Sequence, residues 1–190
     1  KEKLRNNPYT FLHIINPDFE SKKTGVNKFK HVKARFNDFI NNKYLIQDTS
    51  PTYYIYQQTT LTHKFEGIIG CVAVDDYLNN HIKKHEKTIH HRERMFKDYL
   101  KITGFNADPV LLSYKEDDLI NNIINKYKST RAEYEFTTTN TVFHKFWIID
   151  DVIDVNIIIE NFKEITDIYI ADGHHRSASS ALLCEEIREN

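Results

Sequence analysis

Ile168-Tyr169-Ile170-Ala171-Asp172-Gly173-His174-His175-Arg176 is the stretch on which the reading of this chain turns. Ile168 to Ala171 form an apolar, β-rich run, Gly173 supplies a turn, and Ser177 to Leu183 continue in a helix-compatible pattern. The order is strand, glycine turn, helix. A helix N-terminus presents unpaired backbone N–H groups and the positive end of a dipole, and here two imidazoles and a guanidinium join it. Arg176 is suited to grip phosphate oxygens bidentately, His174 and His175 to donate to them, and Asp172 to hold a metal ion or take a hydroxyl proton. Phosphate is the natural guest of such a turn. The competing reading has Asp172 cap the helix, one histidine pack in the core and Arg176 make a surface ion pair. Four polar groups crowded against a strand end argue for the anion site.

Working outward, the pattern predicts a mixed α/β chain of the α+β class. Phe29, Val32, Phe36, Phe39 and Ile40 recur at helical spacing over residues 28–41. Tyr53-Tyr54-Ile55-Tyr56 and the run from Gly67 to Val74 read as an antiparallel strand pair with a long polar connection. Ile89 to Thr103 turns helical, with Gly104 at the position of a C-terminal cap. Pro109 to Tyr114 reads as a short buried strand, Leu119 to Tyr127 as a helix, 133–138 and 141–149 as strands, and 151–164 as a helix. Phe29, Phe36, Phe39, Phe96, Tyr99, Phe146 and Phe162 are expected in the core rather than as base-stacking platforms. Of Tyr53, Tyr54 and Tyr56, at least one must face solvent or a partner.

Composition narrows the function classes. In 190 residues, 26 basic and 27 acidic side chains leave a formal charge of −1, so no global basic field for coating nucleic acid or an anionic membrane exists. With 40% hydrophobic and 13% aromatic residues, the chain is built to fold. Cys71 and Cys184 fit no C-x-x-C spacing, no apolar run approaches the ~20 residues that span a bilayer, and no secretory leader pattern opens the chain. The expected compartment is the cytoplasm, and a membrane partner is not expected. The chain starts on Lys1 and stops at Asn190 inside a helical pattern, which points to a piece of a longer protein.

A second cluster lies at His81, His85, Glu86, Lys87 and Thr88, followed by His90, His91, Arg92 and Glu93. It does not fit a zinc protease, because His85 and His90 are five residues apart, about 140° out of register on a helix. His81 and His85 have i, i+4 spacing without a visible third ligand, so a solvated helical face is expected there and no zinc. Glu86 is either a favourable charge before a helix or a site carboxylate, and the local sequence leaves both open.

Four stretches carry a resemblance: Asn7 to Ile14, Gln47 to Tyr56, Ile82 to Thr88 with its His85-Glu86-Lys87-Thr88 core, and Tyr169 to Arg176. In sequence and order they resemble the blocks of the bacterial and archaeal domain-of-unknown-function family 1015. Many of its members follow the threonine with Arg-Pro, where this chain has Ile89-His90, so any role of that arginine does not carry over. Relatives extend further at both ends, which would make this chain their middle portion.

The second half is also similar, more distantly, to the ParB/sulfiredoxin-like free serine kinases. The matching pieces are His85-Glu86, Pro109-Val110-Leu111-Leu112 and Asp172 to Arg176, with residues 115–166 as an insertion. This resemblance implies a ParB/sulfiredoxin-like domain over 75–190, preceded by a helix and strand-pair subdomain over 1–74. It implies that Glu86 and Asp172 are catalytic, that Gly173, His174, His175 and Arg176 hold nucleotide phosphates, and that His85 and Thr88 are further site candidates. The expected activity is a small-molecule phosphotransferase, most concretely a kinase of free serine or a similar hydroxyl compound, using ATP or ADP with Mg²⁺. Asp172 is the candidate contact for that ion. The alternatives are a nucleotide-binding regulator of ParB type without kinase activity, and a structural domain with a degenerate site. Near-neutral charge argues against nucleic acid as a partner of this portion.

Overall fold

Strand pairing decides how this chain is divided. The structure is a computed structural model that describes residue 4, residues 6–15 and residues 25–189. Lys1 and Asn190, from which a longer protein was inferred, lie outside the described residues. Two compact units interleave along the chain: Lys1–Gln47, Val74–Ser113 and Tyr169–Asn190 make the first, Asp48–Ala73 and Tyr114–Ile168 the second. The class is α+β.

The second unit is built on β1 (Tyr53–Thr59), β2 (Lys64–Ile69), β5 (Tyr134–Thr137) and β6 (Phe143–Ile149), in the order β2-β1-β6-β5 and antiparallel throughout. Two helices, residues Asp118–Lys128 and Val152–Glu164, cover one face. They are referred to as α5 and α6, after α1 to α4 of the first unit. Period-2 alternation sends Ile55, Trp147 and Ile149 toward the helices, where Ile120, Ile123, Ile124, Val155 and Ile158 close the core. Tyr53 packs against this core, while Tyr54 and Tyr56 stand on the opposite face beside Phe146 and His144. Both helices open on aspartate caps: Asp117 accepts the Ile120 N–H at 2.9 Å, and Asp151 accepts those of Ile153 and Asp154 at 2.9 and 3.1 Å.

Two expectations change here. The polar stretch after Tyr56 is not a long connection but ladder, closed by a short turn in which the Thr60 N–H donates to the His63 carbonyl at 2.8 Å. Polar side chains are tolerated there because Gln57, though buried, donates to Glu66 across the pair at 2.7 Å. The second strand then ends at Ile69, and Val74 opens a helix instead. A boundary does fall where expected, between Ala73 and Val74, but it is one of four crossings between the units. The strand pair belongs with residues 114–168 because β1 hydrogen-bonds to β6 from Tyr53↔Ile149 to Thr59↔Phe143. The stretch 115–166 falls within that unit.

The first unit contains α1 (Leu12–Ile15), α2 (Gly25–Asn41), α3 (Val74–Leu78), α4 (His90–Thr103) and α7 (His174–Glu189). Its three-stranded sheet has β7 (Ile168–Asp172) between β3 (Ile82–Lys83) and β4 (Leu111–Tyr114). Ile14, Val32 and Phe39 form its apolar cluster, with Phe36, Leu45, Tyr99 and Phe105 packed around them. Gly104 ends α4 in the left-handed region, φ 77°, with its N–H on the Leu100 carbonyl at 2.8 Å. β4 is not the buried strand expected: its exposure alternates and Leu111 is 61% exposed, as an edge strand allows. Of the seven aromatics assigned to the core, only Phe39 is buried, the rest being half-buried.

Candidate functional site

The central strand β7 delivers the site. Gly173 follows it with φ 98°, a conformation that side-chain-bearing residues rarely adopt, and a Cβ there would lie 2.7 Å from Val110 Cγ1. The turn is therefore glycine for two reasons, backbone angle and close approach to the segment before β4. The Gly173 carbonyl accepts the Ser177 N–H at 3.0 Å, which places Gly173 at the start of α7. The amides of His174, His175 and Arg176 thus belong to the first turn, whose N–H groups have no intrahelical partner.

His174 is the inward-facing member of the turn, only 6% exposed. Its Nδ1 lies 3.8 Å from Glu86 Oε2, and its ring makes a T-shaped contact with the His85 ring, centroids 4.3 Å apart. Its Nε2 is buried without a hydrogen-bond partner, as is His175 Nδ1. Glu86 itself is 65% exposed, so one end of this contact is open to solvent. Arg176 Nη2 donates to Asp172 Oδ2 at 2.7 Å, and its Nη1 donates to the Pro109 carbonyl. The ion pair weighed against the phosphate reading is thus formed. The ion pair and the Pro109 bond together engage two of the five guanidinium donors and anchor the fork beside the helix start.

The turn Asp172 to Arg176 and the loop bearing His85 and Glu86 are therefore brought together, through His174. That loop is irregular from residue 84 to 89, so the helical face proposed for His81 and His85 does not exist: His81 precedes the short strand β3 and His85 follows it. His81 Nδ1 instead lies 3.4 Å from Asp76 Oδ1. Among the described residues no group of three or more His, Cys, Asp or Glu side chains is placed to hold a metal ion.

One residue of the site escaped the sequence reading. Glu93, in the first turn of α4, is buried, accepts a hydrogen bond from the Thr88 hydroxyl, and lies 3.1 Å from His90 Nδ1 through Oε2. The Thr88 bond, against the opposing effect of burial and with help from His90, holds its carboxyl below the ordinary glutamate range, and His175 acts on it in the same direction. The only sequence signal was a glutamate in a helical first turn soon after a threonine, which is also the pattern of an ordinary solvated charge.

A family model described as "Protein of unknown function (DUF1015)" matches residues 1–190, the full sequence. The chain belongs to that family. No curated protein and no solved structure matches the chain. Among the described residues, no helix is long and apolar enough to cross a membrane.

Proposed function

We propose that this chain is the phosphate-binding and catalytic portion of a nucleotide-dependent small-molecule phosphotransferase, most concretely one that phosphorylates free serine or a similar hydroxyl compound. The observation that carries the reading is the placement of Glu86 against His174, 3.8 Å apart, at the start of the helix that also bears His175 and Arg176. A carboxylate beside an anion-binding helix start is the minimum that phosphoryl transfer requires: alignment, a proton acceptor, and donors that spread charge over the transferring group.

In this reading the first-turn amides of α7 with Arg176, His174 and His175 hold the phosphate chain, and the buried, unpartnered His174 Nε2 and His175 Nδ1 would reach it only if their rings turned outward. Glu86 or Asp172 accepts the proton of the substrate hydroxyl as its oxygen bonds to the terminal phosphorus. The bond from that phosphorus to its bridging oxygen breaks, and the nucleotide leaves one phosphoryl group shorter. The exposure of both carboxylates suits Mg²⁺ that arrives on the nucleotide and needs only one or two protein oxygens, with Asp172 the candidate contact. Such an ion neutralises phosphate charge.

The test is incubation of the protein with ATP or ADP, Mg²⁺ and a panel of hydroxylated amino acids, followed by mass detection of a phosphorylated product. Glu86→Ala is expected to abolish product with nucleotide affinity kept. Arg176→Ala is expected to weaken nucleotide binding about 10- to 100-fold, the worth of a charge-assisted hydrogen bond. Nucleotide binding without product would favour the regulatory module; unchanged binding in Arg176→Ala would remove the phosphate cradle.

A further inference from the structure

A carboxylate in the first turn of a helix is ordinarily solvated, and burying it is costly unless it is paired and hydrogen-bonded. Glu93 is only 7% exposed, yet its imidazole neighbour His90 has a side chain 92% exposed. The partner at its sheltered end is Thr88, whose hydroxyl donates to Oε1. Thr88 stands two residues after Glu86 in a loop with no strand or helix pairing of its own from residue 84 to 89. That loop is held by side chains: the His85 and His174 rings pack in a T-shaped contact, and Thr88 is tied to α4.

We infer that Glu93 is a positioning residue: from α4 it clamps the His85–Glu86 loop through Thr88 and so sets where the Glu86 carboxylate stands against His174. The inference rests on the reading of Glu86 as a site residue. It assigns Glu93 no contact with substrate. It also explains a buried charge at a place where helix formation alone requires none, since a rigid short loop, rather than helix stability, is what the bond secures.

The experiment uses the full chain, four single variants, E93A, E93Q, T88V and T88S, and the E93A/T88V double variant, with imidazole nitrogen and proton NMR spectra of His85 and His174 recorded well below every variant's unfolding temperature. E93A and T88V are expected to shift both rings' signals and pH titrations, and the double variant to add nothing to either single change. E93Q and T88S keep an acceptor and a donor at the bond and are expected to restore the wild-type spectra. Where the serine and nucleotide assay gives product, E93A and T88V should lower kcat about 10- to 100-fold with KM for nucleotide changed less than about 3-fold, the mark of a misplaced rather than missing group. Spectra of His85 and His174 that stay at wild type in folded E93A and T88V would overturn the inference. Should E93A not fold, the T88V and T88S pair decides by the same criterion. Spectra that move in a protein without phosphotransferase activity would uphold the clamp and defeat only the kinase reading.

Discussion

Gly173 is the residue on which the geometry of the helix start depends most directly. Its φ of 98° and the 2.7 Å that would separate a Cβ from Val110 Cγ1 impose two separate costs on any replacement. Gly173→Ala is expected to destabilise the chain by about 1–3 kcal/mol, read as a shift of the urea midpoint at unchanged slope. Val110→Ala in the same chain should recover part of that loss, because it removes the Cγ1 clash while the Cβ of residue 110, at 3.0 Å, and the backbone strain remain; no recovery would mean that the Cγ1 contact is not what costs stability. The two residue-level readings of the sequence fared differently for a physical reason. The strand, glycine turn and helix start at Asp172 to Arg176 were legible because apolar run, turn residue and helix opening follow one another in consecutive positions. Glu93 was not, because its burial and its bond to Thr88 are properties of how the loop folds back on α4, and an isolated glutamate carries no mark of them.

Elements were more legible than their exposure. The helices at Gly25–Asn41, His90–Thr103, Asp118–Lys128 and Val152–Glu164 follow from apolar residues at helical spacing bounded by Asp117, Asp151 and Gly104. The hairpin was half-read, because side-chain polarity between Gln57 and Glu66 masks a ladder made by the backbone. What joins α5 to α6 lies beyond periodicity: buried Asp154 accepts Lys126 Nζ at 2.6 Å and the Tyr127 hydroxyl at 2.9 Å. Burial would raise the Asp154 carboxyl, but these two hydrogen bonds prevail and lower it below the ordinary value of 3.8. A depressed carboxylate stabilises the fold above its unfolded pKa and loses that contribution as pH falls through the folded one. Asp154→Asn is therefore expected to cost about 1–3 kcal/mol near neutral pH, with the gap to wild type closing as pH drops below about 4. A gap independent of pH in urea titrations would show that packing, not charge, explains it. Burial first and Asp154 second push the Tyr127 phenol up to about 12, so its own contribution holds at neutral pH and is lost only as pH rises through that range.

At the scale of the whole molecule the sequence was least informative, because strand partners are chosen across distance. Nothing local in Tyr53-Tyr54-Ile55-Tyr56 announces that Tyr56 will sit opposite Phe146, so a single boundary near residue 74 was read where the chain in fact passes between two units and back. The consequence is physical: each unit buries its own apolar cluster, Ile55 to Ile158 in one and Ile14, Val32 and Phe39 in the other. Ile158 is fully buried at the centre of the larger cluster, and truncating it to alanine is expected to cost about 2–5 kcal/mol through lost burial and the cavity left behind. Because the damage lies in one cluster, native-state hydrogen exchange should show faster opening for amides of β1, β6, α5 and α6, whereas those of α4 and the first turns of α7 keep wild-type protection. Equal acceleration in both units would mean that the chain opens as one cooperative body, and the two cores would then have to be treated as a single stability. Selective opening would instead leave the surroundings of Gly173, His174 and Glu93 intact in an Ile158→Ala protein, a state in which the nucleotide binding proposed for the first unit can be tested against a weakened second one.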